Sequence, residues 1–381
     1  MRAVLRALAP RAGLLWHAAP GVLIAVALAL LARGMADALA QGALGLPRFP
    51  LSPVMCAVVL GMLWRNTLGV PAWAGQGLKW AMHQLLRCGI ALVGLRLTLL
   101  GATAIAATAL PVALTCLLFA LGTGLALARL LNVPRRLGLL LAIGTAVCGA
   151  TAVVAMSPVI RARHAETAFA VTCVVLFGCV AMLCYPWVAG HFFAAAPRHA
   201  GIFLGTAIHD TSQVVGAALM YSQQAHQPEA LAAASVAKLL RNLSIALLIP
   251  VAAWLTQRHD ARTPAKPSGP DEADAPAAAG LSGHVRLVPM FVLGFVACIV
   301  VRTAGDALLP AGGALWPALI HTGYTASDLF LTCGMTAVGL SVSFTDMWRI
   351  GWRPLAAGFV VATLVGGCSL ALTSGMLRFF G

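Results

Sequence analysis

The sequence predicts an all-α polytopic membrane protein of about 9–11 transmembrane segments, with inverted repeats and two broken or re-entrant helices. Three observations predict it. The 381 residues are 60% hydrophobic and 9% charged, where a soluble domain carries roughly a quarter charged residues. Apolar stretches of membrane-spanning length recur from about residue 20 to residue 378. Two pairs of segments repeat each other at constant offsets.

The first segment, 20–40, follows Arg2, Arg6 and Arg11 and ends near Ala38-Leu39-Ala40, a cleavage-like triplet. Its apolar run outlasts a signal core and carries Arg33 and Asp37 near its end, so a retained span is expected. Ten further segments follow at 51–65, 78–100, 104–128, 138–160, 167–190, 200–222, 229–256, 285–305, 326–345 and 354–377. The polar run 257–284, with Arg258, Asp260, Arg262, Lys266, Asp271, Glu272 and Asp274 among prolines and alanines, reads as a flexible cytoplasmic linker. Residues 1–381 are thus expected to form a single integral membrane domain. Its parts are a first repeat region (20–160), a broken helix with the following span (200–256), the linker and a second repeat region (285–378).

Composition excludes several classes. The formal charge of +14 comes from basic residues at the ends of apolar runs, which orient a membrane protein, and not from a patch that would hold nucleic acid. All ten cysteines lie in or beside apolar stretches without a CxxC pair, which argues against a zinc site or disulfide framework. No GxxxxGK[ST] loop is present, so neither nucleotide, metal nor other cofactor is expected.

Positive charge marks the cytoplasmic side. Strict alternation puts Arg129, Arg135, Arg136 and the linker inside but strands Arg161, Arg163 and His164 outside. The conflict vanishes if 138–160 and 200–222 are re-entrant from opposite faces, leaving nine full spans.

The repeats agree with that topology. Leu86-Arg-Cys-Gly-Ile-Ala-Leu-Val-Gly-Leu95 matches Leu331-Thr-Cys-Gly-Met-Thr-Ala-Val-Gly-Leu340, on segments expected to run in opposite directions. Gly144-Thr-Ala-Val-Cys-Gly-Ala-Thr-Ala-Val-Val154 matches Gly205-Thr-Ala-Ile-His-Asp-Thr-Ser-Gln-Val-Val215. Chance recurrence of Gly, Ala and Val explains one such pair more easily than two.

Ionisable groups at mid-membrane depth are functional candidates by default. His209 and Asp210 sit mid-segment beside Thr211, Ser212 and Gln213, and Gly205 and Gly216 allow the backbone to unwind there. Thr145, Gly149 and Thr151 lie in the matching segment. Lys238 and Arg241 share one face of the next helix, where they neutralise Asp210 or bind an anion. The plainer alternative keeps these groups as structural ion pairs. Arg96 reads as a snorkelling anchor and Asp328 as a helix cap.

Cys148-Gly-Ala-Thr-Ala152 with Pro158, the element Ile208-His-Asp-Thr-Ser-Gln213 with Gly216, and Lys238 with Arg241 together resemble the YeiH-type family of bacterial inner-membrane proteins, whose customary label is sulfate exporter. The resemblance covers about residues 15–380. It implies a transporter with inverted repeats and broken helices, multi-pass in the cell inner membrane. The expected function is therefore secondary transport of a small anion, with sulfate or a related sulfur oxyanion as candidates, coupled to an ion or to protons. Thr145, Gly149, Thr151, Thr211, Ser212, Gln213, Lys238 and Arg241 are the expected substrate-binding residues, and His209 and Asp210 the coupling pair. Expected partners are the anionic solute and the lipid bilayer, without nucleic acid; self-association into a homo-oligomer is left open. An anion channel is the second reading. An intramembrane enzyme is the third, disfavoured because adjacent helical residues point about 100° apart and cannot form a catalytic array alone.

Overall fold

The computed structural model describes residues 2–41, 52–245, 248, 251, 290–309, 315–343 and 352–380. The 257–284 linker lies outside the described residues. Among them the chain is helical throughout, and five helices contain stretches long and apolar enough to cross a membrane: Ala18–Leu39, Leu99–Leu130, His164–Phe192, Met290–Leu308 and Leu355–Arg378.

Helix α1 (Arg2–Ala40) is continuous. Helix α2 (Pro53–Thr67) starts where Ser52 accepts a hydrogen bond from the Met55 N–H and Pro53 occupies the first turn, a position that needs no donor. The next segment is irregular: α3 (Gly75–Trp80), a π turn at Ala81–Leu85, α4 (Leu86–Val93) and a 3-10 turn at Gly94–Arg96. It ends at Leu97, which is extended, and α5 (Leu99–Leu130) follows at once, so the expected span 78–100 closes early. After α5 come α6 (Arg135–Ala146), α7 (Ala150–Met156), α8 (His164–Phe192), α9 (Pro197–Ala207), α10 (Thr211–Ala225) and α11 (Glu229–Leu243). The last three described helices are α12 (Met290–Leu308), α13 (Leu315–Ser341) and α14 (Trp352–Phe380). Helix α13 begins eleven residues before the expected segment 326–345. Polar residues had lowered hydropathy there, but Thr322 and Thr325 return their hydroxyls to the Ala318 and His321 carbonyls and the helix continues.

The helices sort into two compact units. One comprises residues 1–99, 219–228 and 293–345. Here the first repeat pair is in direct contact. Leu331 fills the space beside Gly89, where a Cβ would lie 2.7 Å from its Cδ2, and Leu86 fills the space beside Gly334, where a Cβ would lie 2.9 Å from its Cδ1. Leu86 and Leu331 are equivalent in the repeat, as are Gly89 and Gly334. Contacts of Leu95 with Gly323 and of Ser327 with the Gly89 carbonyl run in the same antiparallel order. Each leucine knob enters the other helix's glycine notch, which is what a local two-fold axis produces. Arg96 does not stand alone as an anchor, and Asp328 is not a cap: they form an ion pair at 2.7 Å, with Arg96 also over the Tyr324 ring.

The second unit comprises residues 100–218, 229–292 and 346–381. Its two broken helices decide the topology. At 147–149 the chain turns back: a Cβ at Gly144 would lie 2.7 Å from the Val153 Cγ2, whereas nine residues of uninterrupted helix span about 13 Å. Gly201 lies against Ala230 and Ala233, and Gly205 against Ala234 and Ala237, so α9 and α11 are parallel. Only α10 lies between them in sequence, so the chain reverses at 208–210 as well as at the short connection 226–228. None of α6, α7, α9 and α10 reaches the roughly 20 residues a bilayer crossing needs. Both segments are broken helices that fold back as helical hairpins. Cysteines placed singly at Arg135 and Arg163, the two ends of the first hairpin, are expected to react with an impermeant maleimide from the same side of the membrane. Reaction from opposite sides would rule the hairpin out.

Candidate functional site

The two hairpin tips meet. Helix α6 ends because Val147 (φ −112°, ψ −91°) and Gly149 (φ +71°, ψ −133°) leave helical geometry. A backbone like that of Gly149 is open to glycine and strained for any residue with a Cβ. Helix α9 ends where Ile208 becomes extended (φ −86°, ψ 143°). Gly149 packs on Asp210: a Cβ there would stand 2.8 Å from Asp210 Oδ2 and 3.0 Å from its Cα. Gly149 and Asp210 are equivalent positions of the second repeat.

Breaking two helices inside an apolar protein orphans carbonyls at each broken end. In α6, Ile143 and Gly144 accept from the Val147 and Gly149 amides. The remaining two, Thr145 and Ala146, accept from Arg241, through Nη2 at 2.7 Å and through Nη2 and Nε at 2.6 and 3.0 Å. Arg241 Nη1 donates to Thr206 in the other hairpin. Lys238 donates to Val147 at 2.9 Å, to Ile208 at 3.1 Å and to the His209 carbonyl. Val147 and Ile208 are repeat equivalents, and so are Thr145 and Thr206. One buried cation pair, with Lys238 and Arg241 0% and 1% exposed, therefore ties matching atoms of both breaks. The charge placement is physically apt, since helix C-terminal ends carry partial negative charge.

The other expected residues take distinct places. Asp210, half-buried, caps α10: its Oδ1 accepts from the Ser212 amide at 2.8 Å and from the Ser212 hydroxyl at 2.5 Å. Thr211 accepts from Asn242 Nδ2 at 3.1 Å, so Asn242 joins the centre. Gln213 is buried and turned to α8, where Nε2 donates to the Val175 carbonyl at 2.9 Å and contacts Cys179 Sγ at 3.3 Å; its Oε1 has no partner. Thr145 returns its hydroxyl to the Leu141 and Ala142 carbonyls of its own helix. Thr151, the repeat equivalent of Ser212, is exposed. His209 is wholly buried near the Thr145 backbone, yet neither ring nitrogen makes a well-formed hydrogen bond.

Sequence reasoning missed Ser369. It lies on α14, is wholly buried, and shares a 2.7 Å hydrogen bond with Thr206, which ties that helix to the broken end of α9. A serine among Gly, Cys and Leu on an apolar segment gave no local signal. Among the described residues, no group of His, Cys, Asp and Glu is placed to hold a metal ion.

A helical chain with several membrane-length apolar helices and two broken helices crossing at a charged centre is a multi-pass α-helical membrane protein. Its family follows from comparison: residues 20–358 match the profile described as conserved hypothetical protein 698, and the chain belongs to that family. Relatives include a UPF0324 membrane protein of Ralstonia nicotianae, 36% identical over 331 residues, 83% of this chain and 84% of that one. A UPF0324 membrane protein of Bordetella bronchiseptica is 33% identical over 84% of this chain and 92% of its own length. One from Pseudomonas putida is 30% identical over 87% of each. These matches agree with the YeiH-type resemblance carried by the His-Asp-Thr-Ser-Gln element. No solved structure matches the chain.

Proposed function

We propose that the protein is a secondary transporter that moves a small anion across the bacterial inner membrane in an ion- or proton-coupled cycle. Sulfate or a related sulfur oxyanion is the leading solute. One observation carries the reading: two re-entrant hairpins meet at repeat-equivalent residues around two buried basic side chains, Lys238 and Arg241, and one carboxyl, Asp210. An ordinary structural core has no use for unwound backbone and buried basic groups in an apolar setting, whereas a site that binds and releases an anion needs both.

In this reading Lys238 and Arg241 act through their field. The three donors of Lys238 are engaged by carbonyls, and Arg241 makes four hydrogen bonds to three carbonyls. Direct contact falls to Thr151, Thr211 and Ser212 at the two tips, with Gly149 keeping the crossing narrow. Gln213 and Thr145 hold the hairpins in place, and His209 and Asp210 serve coupling. Labelled sulfate offered to inverted membrane vesicles is expected to accumulate above the level of vesicles lacking the protein, and to respond to an imposed proton gradient. Failure to move sulfate, sulfite and an alkyl sulfonate alike would refute anion transport.

A further inference from the structure

We infer that a cavity in the first unit is a binding site for a small zwitterion of the amino-acid type, with its ammonium group on the acceptors of α13 and α10 and its carboxylate on Arg33. The site is separate from the hairpin crossing and stands independently of the anion-transport reading, because every residue that lines it belongs to the first unit. The cavity measures about 400 Å³, the size of clefts that hold small ligands.

One part of the lining offers acceptors. Thr325, Asp328 and Thr332 recur at helical spacing and give α13 a polar face on the cavity. Both hydroxyls spend their protons on their own helix, Thr325 on the His321 carbonyl at 3.1 Å and Thr332 on the Asp328 carbonyl at 2.7 Å, so each presents only lone pairs. The Asp328 carboxylate is held by Arg96, which engages Oδ1 at 2.7 Å; among the described residues Oδ2 has no hydrogen-bond donor. Gln223, in the last turn of α10, also lines the cavity, and its Oε1 is buried without a donor. A buried acceptor left unpaired is destabilising, and a ligand N–H completes it. An ammonium group brings three donors and a positive charge to such a set of oxygens.

The other part comes from α1. Arg33 and Asp37, one turn apart, both line the cavity, and among the described residues neither side chain makes a hydrogen bond or an ion pair. Arg33 is close enough to act on Asp328 through its field. A simple amine therefore meets the repulsion of Arg33, and a simple carboxylate that of Asp37 and Asp328. A ligand that carries both charges places each beside its opposite, with the guanidinium fork receiving the carboxylate.

The test compares two isomeric zwitterions, L-norvaline and δ-aminovalerate, with the single-charge analogues they share, butylamine and valerate. The isomers differ in the separation of their charges. Saturation-transfer NMR with the full chain in phosphatidylcholine nanodiscs, and empty nanodiscs as the blank, is expected to show one zwitterion binding about tenfold tighter than either analogue. Arg33→Gln, at an exposed position, is expected to keep the wild-type unfolding temperature and to bring that zwitterion down to the affinity of butylamine. Gln223→Leu is expected to weaken the zwitterion and butylamine alike, by about tenfold, as the loss of one hydrogen bond to a charged group does. Butylamine or valerate binding as tightly as both zwitterions overturns the inference, and so does a failure of both zwitterions to bind at millimolar concentration. A zwitterion affinity unchanged by Arg33→Gln overturns the carboxylate assignment, and one unchanged by Gln223→Leu the ammonium assignment. Each of these results leaves sulfate transport through the second unit standing.

Discussion

Lys238→Met is expected to destabilise the protein by about 2–4 kcal/mol and to abolish transport. Methionine keeps the length of the stem but leaves the Val147, Ile208 and His209 carbonyls without their donor. An unsatisfied buried polar group costs about 1–3 kcal/mol. The full sum of three is not expected, because the substitution also removes a buried charge and the desolvation it carried. Asp210 meanwhile loses a cation that interacts with it electrostatically, which adds to the cost. Thermal unfolding in detergent measures the stability loss, and vesicle uptake the activity. Arg241→Lys separates charge from geometry: it keeps the positive charge, yet an ammonium cannot reproduce the planar fork that reaches Thr145, Ala146 and Thr206 at once. If Lys238→Met leaves the unfolding temperature unchanged, the cation is not holding the two breaks together.

Gly149→Ala is expected to damage the hairpin crossing severely, on the order of 3 kcal/mol or more. Its φ of +71° costs a residue with a Cβ about 1–3 kcal/mol. The added carbon would also stand 2.8 Å from Asp210 Oδ2, 2.9 Å from its Cβ and 3.0 Å from its Cα. Two of those three atoms belong to a short side chain with little freedom to retreat and the third to the main chain, so the tips must part. Gly122→Ala, on α5, is the control. No atom lies within 4 Å of a Cβ there, and alanine is favoured over glycine in a helix by about 1 kcal/mol. The first substitution should lower the unfolding temperature and transport together, and the second should leave both at or above wild type. Equal behaviour of the two would remove Gly149 from the crossing.

Much of the architecture was legible because hydropathy and repetition are properties of sequence. The misplaced Arg161 and Arg163 pointed to a hairpin at 138–160, and the Gly144–Val153 contact is the packing that such a turn requires. The matched Leu-x-x-Gly elements implied opposed helices, and they interlock as knobs and notches. Segment boundaries were less legible. The start of α13 was hidden because threonine hydroxyls satisfied by their own helix look polar to a hydropathy window. Residue roles were harder still: a deeply placed lysine and arginine look alike in sequence whether they face a ligand or a carbonyl.

The sequence by itself determined that this chain is a multi-pass helical membrane protein with two internal pairs, because apolar length and self-similarity need no partner in space to be read. It also picked out Gly149, His209, Asp210, Lys238 and Arg241 as residues out of place in an apolar segment. Only the tertiary structure decided that equivalent residues of the two hairpins touch, that Lys238 and Arg241 face the broken helix ends, and that Asp210 holds Ser212. Those facts depend on which orphaned carbonyls and amides come within about 3 Å of which side chains. That distance is set by the folding back of both hairpins and not by spacing along the chain.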